Sequence, residues 1–308
     1  MTPVAARRRD VEWEVVALYT YPVKSCRPVL LDASQVGETG LDYDRLWMVV
    51  DAKTGRFVTQ RQVPRLALVS VTINRTQQLL ELSAATMPTT LRLPLHPEPG
   101  QGERHRTRVW YDTVAGRCCG ADAARWLSEF VGKPARLLYK DPQEPRLVSR
   151  YVPAGCDAPP QSGYADVFPF HITTDPSLQD VNQHVPRPLT HQHFRPNIVL
   201  APVHPAMPYD EETWKRLEFV GSGPAWSMFV TSRTPRCTMP NVDLASGEMQ
   251  ADGEPLKSLR RFRCVDPGQP KFPCFGMQAA PQRTRETVHL GQRVVVRERG
   301  LHSLTEPL

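Results

Sequence analysis

Alternating apolar and polar positions, rich in β-branched and aromatic residues, predict many short β-strands along this 308-residue chain. The first predicted strand covers residues 12–21. It is ended by Pro22, since proline cannot donate a hydrogen bond within a sheet. Residues 50–56 lie between two apolar runs and contain Gly55, for which a positive φ costs little, so they predict a hairpin. The other predicted strands are residues 28–35, 45–50, 66–73, 79–83, 107–113, 135–139, 195–200, 226–232, 287–290 and 294–297.

Helices are fewer and shorter in the same pattern. Apolar residues spaced by three and four predict one clear helix that begins at Asp122 and ends at Gly132. Shorter helices are predicted at 175–181, where an aspartate precedes a first-turn proline, and at 210–217 and 254–261. Strands do not alternate with long helices, which disfavours a doubly wound parallel sheet. We therefore predict a mixed α/β, β-rich protein with a β-barrel and a smaller α/β appendage.

Composition narrows the class of protein. The 31 prolines are about twice the usual usage of ~5% and are scattered, which is typical of many turns. Residues 95–106 carry proline, glycine and charge without periodicity and predict a loop, and the proline-rich, irregular residues 141–163 predict a domain boundary or a long active-site loop. The net charge of +6 favours an acidic partner or an anionic ligand. No basic stripe is interleaved with aromatic residues, so nucleic acid is not a predicted partner.

The cysteines and motifs exclude several functions. An odd number of cysteines, seven, without a regular framework favours a reducing compartment. No C-x-x-C pair occurs, so neither a zinc ribbon nor an iron–sulfur centre is predicted. Dinucleotide-binding, P-loop and Gly-x-Ser-x-Gly motifs are also absent from the sequence. His191 and His193 would supply half of a metal site, but the spacing places no third ligand.

The apolar runs are too short for a membrane span. None reaches the 18 or so residues that a transmembrane helix requires, so no span is predicted in this chain. The first ten residues contain three arginines and lack the apolar core of a signal peptide. The chain as it stands is therefore predicted to be cytoplasmic, and a trimmed segment upstream stays open.

Basic and polar residues cluster at the ends of predicted strands, where sheets and barrels place ligand groups. The four clusters are Pro22-Val-Lys24-Ser25, Asp44-Arg45, Arg195-Pro-Asn197 and Pro235-Arg236-Cys237. Their four cations would together clamp a phosphate, which arginine binds through two parallel hydrogen bonds. The alternative is that they are ordinary surface cations.

Cys237 directly follows Arg236 and lies between Pro235 and Pro240. An adjacent cation favours the thiolate, which is the form that attacks or binds a metal. The prolines exclude a helix and restrict the backbone to an extended or turn path. A lone cysteine is more commonly a small buried hydrophobe, and these residues alone leave both roles open.

Several short motifs follow one another in a specific order. The first group is Tyr21-Pro-Val-Lys-Ser-Cys26, Gly40-Leu-Asp-Tyr-Asp-Arg45, Thr59-Gln-Arg-Gln62 and Pro64-Arg65. The second group is Phe194-Arg-Pro-Asn-Ile-Val199, Arg236-Cys237, Val242-Asp243 and Phe275-Gly276. Their order and spacing resemble MOSC-domain proteins, and in particular the mitochondrial amidoxime-reducing component family. The resemblance extends over nearly the whole chain, from about residue 14 to residue 296.

This resemblance implies a MOSC-type β-barrel domain and a smaller N-terminal α/β domain. We place the N-terminal region at residues 12–140, with strands from residues 12–45 available to join the barrel, and the MOSC domain at residues 141–308. The family binds a molybdenum cofactor (Mo-molybdopterin) whose metal takes a protein cysteine as a further ligand, which here would be Cys237. A soft thiolate suits such a sulfur-rich metal site.

The resemblance also implies the residues that bind the cofactor. They are Lys24, Ser25, Arg45, Arg195, Asn197, Arg236 and Cys237, with the cations serving the phosphate and Asn197 the pterin. Some relatives carry small hydroxyl residues where this chain has Val167 and Phe168, so only a backbone contact is expected there. No proton donor is assigned, because Asp243 near Cys237 is equally consistent with a structural role.

The implied function is a molybdenum-dependent oxidoreductase that reduces N-hydroxylated compounds such as amidoximes and hydroxylamines. Electrons would come from cytochrome b5 and NADH-cytochrome b5 reductase type donors, since the chain has no redox motif of its own. The implied location is the mitochondrial outer membrane, facing the cytosol, if an N-terminal anchor has been removed. The alternatives are a molybdenum cofactor or sulfur carrier without reductase activity, and a β-rich interaction module without a cofactor.

Overall fold

The computed structural model describes residues 12–148, 152–221 and 223–302. The strands in chain order are β1 (Glu12–Thr20), β2 (Val29–Leu31), β3 (Ala33–Gly37), β4 (Gly40–Leu41), β5 (Trp47–Asp51), β6 (Ser70–Asn74), β7 (Leu79–Ser83), β8 (Leu91–Pro94), β9 (Arg104–Val109), β10 (Asp112–Cys118), β11 (Ala135–Lys140), β12 (Phe170–Thr174), β13 (Ile198–Pro202), β14 (Trp214–Val220), β15 (Trp226–Pro235), β16 (Cys274–Pro281), β17 (Glu286–His289) and β18 (Arg293–Arg299). The α-helices are α1 (Ala121–Val131), α2 (Asp175–His184), α3 (His191–Phe194) and α4 (Leu256–Phe262). Short 3-10 turns cover Pro64–Leu68, Asp210–Thr213 and Met239–Asn241.

Seven strands close into a barrel in the order β1-β13-β12-β16-β15-β14-β18, and β18 pairs back with β1. The pairing of β12 with β13 is parallel, and the other six pairings are antiparallel. Closure leaves no long unpaired edge in the ring. The chain's first described strand therefore lies beside strands from its second half, and residues that follow distant strands meet at one end.

Apolar side chains fill the barrel and fix its strand register. Trp13 and Trp214 meet edge to face with ring centroids 4.8 Å apart, a favoured aromatic geometry. Phe219 and Trp226 stack at 4.1 Å on neighbouring strands. A one-residue slip of a strand would move such side chains to the outer face, so the packing specifies the pairing.

A second module packs beside the barrel. Its four-stranded sheet has the order β5-β11-β10-β9, and a three-stranded sheet, β6-β7-β8, lies nearby. Helix α1 buries Trp126, Leu127 and Phe130 in the core between these sheets, as its spacing predicts. Gly132 ends the helix in the left-handed region, which a glycine adopts without steric cost. The predicted β-rich fold with a smaller α/β module is confirmed.

Three predicted elements are wrong in type or extent. Residues 210–217 form a 3-10 turn followed by strand β14, not a helix. Residues 66–68 belong to a 3-10 turn that Pro64 begins, so the predicted strand starts only at Ser70. Residues 104–106, predicted as a loop, begin strand β9, which turns into β10 through Trp110 and Tyr111.

No helix in the described ranges combines the length and the apolar character that crossing a bilayer requires.

Candidate functional site

All seven predicted site residues line one pocket at an end of the barrel. The pocket has a volume of about 110 Å³ and takes residues from four connections. Lys24 and Ser25 follow β1, Arg45 precedes β5, and the remaining residues flank β13 and β15. The list is Lys24, Ser25, Arg45, Arg195, Asn197, Arg236 and Cys237. The structure therefore brings together residues that are up to 213 positions apart (237 minus 24).

Three of these seven residues have left-handed backbones. The φ angles are 73° at Ser25, 49° at Arg45 and 57° at Arg195. A residue with a Cβ atom is strained by about 1–2 kcal/mol in this region, so the surrounding structure must hold it there. Such residues cluster at binding and catalytic sites. The strain supports a site that is formed before its ligand arrives.

Tyr21 organises the two arginines that precede β5 and β13. The guanidinium carbons of Arg45 and Arg195 lie 4.3 Å and 4.2 Å from the centre of its buried ring. Asp44 accepts hydrogen bonds from Arg45 Nη1 at 2.8 and 2.6 Å, and its Oδ1 also accepts from the Tyr21 N–H. One carboxylate therefore neutralises Arg45 and anchors it to the barrel strand.

Arg195 has no such carboxylate within 4 Å among the described residues. Its Nη1 donates to the Cys26 carbonyl at 2.8 Å, while its buried Nη2 has no partner in the described part of the chain. Burial lowers the pKa of Arg195 to about 10, so the group stays protonated at neutral pH. A buried cation with an unused donor favours an anionic ligand.

Lys24, unlike Arg195, is compensated by a carboxylate. Its Nζ donates to the Tyr164 carbonyl and to Asp166 Oδ1, both at 2.7 Å. Burial lowers the pKa of Lys24, and Asp166 acts against that shift. Desolvation alone would raise the pKa of Asp166, but Lys24 and a hydrogen bond from Trp110 Nε1 bring it below its usual value. Asp166 is thus an anion that holds both groups.

Arg236 and Cys237 follow directly after the last residue of β15. The Arg236 N–H donates to the Pro273 carbonyl at 2.8 Å, and its Nη2 donates to the Phe194 carbonyl at 2.6 Å. Burial lowers the pKa of Arg236, and the negative charge of a Cys237 thiolate acts in the opposite direction. A 3-10 turn begins at Met239, so both residues lie on a short segment fixed at its two ends. Cys237 is partly exposed.

Four buried donors around this pocket lack a partner among the described residues. They are Ser25 Oγ, Thr234 Oγ1, Arg195 Nη2 and Arg236 Nε, and all four residues line the pocket. Leaving a buried donor unsatisfied costs about 1–3 kcal/mol, and more for a charged group. Within the described ranges, the four cations of the pocket contact only two carboxylates, Asp44 and Asp166. The pocket therefore fits a ligand that is anionic and rich in hydrogen-bond acceptors.

Asn197 connects elements of the pocket through both ends of its amide. Its Oδ1 accepts from Arg45 Nη1 at 3.1 Å and from the His171 N–H at 3.2 Å, and its Nδ2 donates to the Tyr19 carbonyl. Burial holds the pKa of His171 well below its usual range, so its ring is neutral. The geometry of Asn197 therefore positions Arg45, and its role toward a pterin stays a prediction.

Other sequence candidates have structural partners. His191 Nε2 lies 3.0 Å from Asp175 Oδ1, and His193 Nδ1 accepts from the Thr190 N–H, which caps helix α3. Asp243 accepts from the N–H groups of residues 245 and 246, and those bonds lower its pKa. The Phe168 N–H donates to Gln278 Oε1 at 3.0 Å, so the backbone group that was expected to contact a cofactor already has a partner within the protein. These residues stabilise turns and strands rather than completing a metal site.

A second cavity of about 220 Å³ shares a wall with the first. Seven residues line both: Asp166, Val167, Thr234, Pro235, Arg236, Cys237 and Gln278. The second cavity is otherwise walled largely by apolar groups, including Trp110, Leu147 and Phe272. Cys237 therefore lies where a cationic pocket and an apolar cavity meet.

Sequence reasoning did not find Tyr21, Asp166 or Thr234 as part of the site. Tyr21 and Thr234 lie within or beside the motifs quoted above, but no spacing rule marks a supporting aromatic ring or hydroxyl. Asp166 follows the irregular segment, and its pairing with Lys24 spans 142 residues. Only the folded chain brings such groups together.

A closed barrel with a cationic pocket and a cysteine at its margin defines a class of protein whose site suits an anionic ligand beside a cysteine side chain. Profiles of two families match the chain: the MOSC N-terminal beta barrel domain over residues 12–134 and the MOSC domain over residues 159–295. Mitochondrial amidoxime-reducing component 1 of Mus musculus is 32% identical over 301 residues, covering 95% of this chain and 84% of the relative. Mitochondrial amidoxime reducing component 2 of Homo sapiens is 31% identical over 284 residues, covering 89% and 81%. A molybdenum cofactor sulfurase of Danio rerio is 28% identical over 88% of this chain but only 32% of its own length.

The chain belongs to the MOSC-domain family that includes the mitochondrial amidoxime-reducing components. The resemblance deduced from the motifs is thereby confirmed.

Proposed function

We propose that this protein binds a molybdenum cofactor in the cationic pocket and reduces N-hydroxylated compounds. The observation that carries the proposal is the set of four buried donors without partners around a pocket that ends at Cys237. A pterin phosphate would supply the acceptors that these donors lack. The names of the relatives, which refer to amidoxime reduction and to the molybdenum cofactor, support the same proposed cofactor and activity.

The residues divide into three roles toward this cofactor. Cys237 would hold the metal through its thiolate, since soft thiolates suit a sulfur-rich molybdenum site. Arg195 and Arg236 would donate to the phosphate, together with the Ser25 hydroxyl. Asp44 keeps Arg45 in place and limits the positive charge. When bound, the cofactor supplies the redox chemistry, and the protein supplies binding, orientation and electrostatics.

The proposed reaction consumes two electrons and two protons for each N–O bond that is cleaved, and it releases water. The electrons would come from a cytochrome b5 type haem protein and its NADH-dependent reductase. The chain's net charge of +6 suits an acidic partner, because complementary charge accelerates encounter. This partner and the N-hydroxylated substrate class are parts of the proposal.

The metal assignment is tested by molybdenum and pterin content after expression in a host that makes the cofactor. The unmodified protein is expected to carry close to one molybdenum per chain. Cys237→Ala should lose most of the metal, and the cofactor-free forms of the variant and the unmodified protein should unfold at the same temperature because the side chain is partly exposed. Cys264→Ala is the matched control, since Cys264 is also partly exposed but lines neither pocket. A Cys237→Ala protein with full metal and activity would refute the ligand assignment.

The activity is tested separately with benzamidoxime and a reconstituted cytochrome b5 and reductase system. Reduction that depends on both electron carriers and on Cys237 supports the proposed enzyme. The competing function is a carrier of the cofactor or its sulfur, which the match to a molybdenum cofactor sulfurase favours. Full cofactor loading without reduction, even with a chemical reductant, would establish the carrier instead.

A further inference from the structure

The cavity beside the cationic pocket has an exposed aromatic mouth. Trp110 is 40% exposed, Leu147 53% and Phe272 45%, and all three line this cavity. Large apolar side chains that are exposed next to one another indicate a binding site more often than scattered ones do. Polar groups, among them Asp166 and Gln278, lie on the wall shared with the cationic pocket. The cavity therefore has large apolar side chains at its mouth, next to the paired Asp112 and Arg146, and polar groups beside Cys237.

Trp110 is fixed in place by several contacts. It lies in the two-residue turn between β9 and β10 with a φ of 55°, a strained position for a bulky residue. Its Nε1 donates to Asp166 Oδ1 at 2.9 Å, and Arg61 lies 4.6 Å from its ring centre. Phe57 meets the ring edge to face at 6.1 Å. Because the Trp110 side chain is already held in place, little conformational entropy would be lost when a ligand binds to the exposed part of the ring.

The Trp110 contacts also connect the two pockets. Asp166 accepts from both Trp110 and Lys24, and Lys24 lines the cationic pocket. The ring is therefore held at a defined position relative to Cys237. The cavity's volume of about 220 Å³ leaves room for one substituted aromatic ring. By the same kind of measure, a single water molecule needs only roughly 10–15 Å³.

We infer that this cavity is the substrate pocket and that Trp110 makes the enzyme prefer N-hydroxylated substrates with a planar aromatic ring. The N–OH group would lie at the polar inner wall beside Cys237, and the ring would stack against Trp110. Trp110 is then a specificity-determining residue, not part of the cofactor pocket. The inference rests on the proposed function for its chemistry, but ring binding can be measured without turnover.

The first measurement is acrylamide quenching of tryptophan fluorescence in the cofactor-loaded protein. All six tryptophans are described, and the five other than Trp110 are at most 5% exposed, so quenching reports on Trp110. Benzamidoxime at saturating concentration is expected to lower the quenching constant, and acetamidoxime, which has no ring, should not. Trp110→Phe removes the responsive fluorophore, so its emission should show no ligand-dependent change. Equal quenching with and without benzamidoxime would overturn the inference.

The second measurement compares the same two substrates in the reductase assay. Trp110→Ala is expected to raise the KM for benzamidoxime about tenfold, the upper range for one aromatic contact, and to leave that for acetamidoxime within about twofold. Trp110→Phe should restore most of the preference. Leu290→Ala is the control, because Leu290 is 47% exposed but lies outside the cavity.

The outcomes separate this inference from the proposed function. An equal rise of the KM for both substrates, or a rise of the KM for the electron-donor protein, would show that Trp110 does not select the ring. If neither substrate is reduced by the unmodified protein, the proposed function fails, and the fluorescence result still decides whether the cavity accepts an aromatic ring.

Discussion

The protein is expected to lose stability as the pH rises from about 4.5 to 7 because of the buried carboxyl group of Glu211. Replacing Glu211 by glutamine should remove most of this loss. Glu211 is fully buried in the 3-10 turn before β14. Its Oε2 accepts hydrogen bonds from Thr174 Oγ1 at 3.0 Å and Ser177 Oγ at 2.9 Å, while Oε1 has no partner among the described residues. Burial raises the pKa of Glu211 from 4.5 to about 7, and the nearby Glu212 charge adds to the shift. The folded protein therefore prefers the protonated acid.

The sign and size of the effect follow from these two pKa values. Below pH 4.5 the acid is protonated in both the folded and unfolded states, so burial of charge costs nothing. Between pH 4.5 and about 7 the unfolded chain releases a proton that the folded protein keeps, and the free energy of unfolding falls. A difference of about 2.5 pKa units corresponds to about 3 kcal/mol. Above pH 7 the loss is complete.

Urea unfolding at pH 5 and pH 8 tests this prediction for the unmodified protein and Glu211→Gln. The difference between the two proteins, taken as the free energy of unfolding of Glu211→Gln minus that of the unmodified protein, is expected to be about 2–3 kcal/mol larger at pH 8 than at pH 5. The variant is thus relatively more stable at the higher pH. Glu129→Gln, on the exposed face of α1, is the control and should show no such difference. If Glu211→Gln gives the same relative stability at both pH values, within ~0.5 kcal/mol, Glu211 is not a buried acid of this kind.

Two further substitutions test the packing near the site and in the second module. Gly276→Ala is expected to destabilise by about 3 kcal/mol, because the residue has a φ of 74° and an added Cβ would lie 2.4 Å from His171 Nε2. Gly55→Ala, with a φ of 67° but no atom within 4 Å of the added Cβ, should cost only about 1 kcal/mol, and equal losses in urea unfolding would contradict the steric argument. Leu127→Ala should cost about 2–5 kcal/mol, since Leu127 is fully buried in the core beneath α1. Arg125→Ala on the exposed face of that helix should stay within ~0.5 kcal/mol in the same assay, and similar losses for both would mean that the core is not packed as described.

Sequence periodicity predicted elements well where one face is buried and the other is exposed. Helix α1 is such a case, because its apolar stripe and its terminal glycine are both visible in the sequence. Strands β12 and β16 were missed for the opposite reason. Every residue of Phe170–Thr174 and of Cys274–Pro281 is buried, polar residues such as His171 and Gln278 included, so polarity does not mark an exposed face in these barrel strands.

The wrong helix at residues 210–217 has a local cause. Trp214 and Leu217 are three residues apart and both buried, which is the spacing of a helix face. In the structure the pairing of β14 with β18 shifts register between Trp214 and Leu217. Such a bulge puts an extra residue into the strand and returns the side chains to one face. A bulge in a strand and a turn of helix therefore produce the same short spacing.

The candidate site was predictable in part of its membership but not in its electrostatics. The motif resemblance names seven residues that the structure places together in the pocket, but it does not name Asp166 or Thr234, which also line it. No sequence rule indicates that Ser25, Arg45 and Arg195 adopt left-handed backbones. Nor does any rule pair Lys24 with Asp166 across 142 residues while leaving Arg195 without a carboxylate in the part of the chain that the structure describes. Those long-range pairings decide which cations remain available for a ligand.

The two pockets share one wall and draw their other residues from different parts of the fold, which under our proposals separates binding of the cofactor from choice of substrate. Three of the four donors without partners lie on connections at the barrel end, Thr234 lies at the end of β15, and Cys237 follows that strand directly. Trp110 lies instead on the hairpin between β9 and β10, in the second module's sheet. Changing the hairpin side chain alters the cavity wall, and its effect reaches the cationic pocket through Asp166, which accepts hydrogen bonds from both Trp110 and Lys24. Under the two proposals, a Trp110→Ala substitution would change substrate preference while the residues proposed to bind the cofactor stay the same.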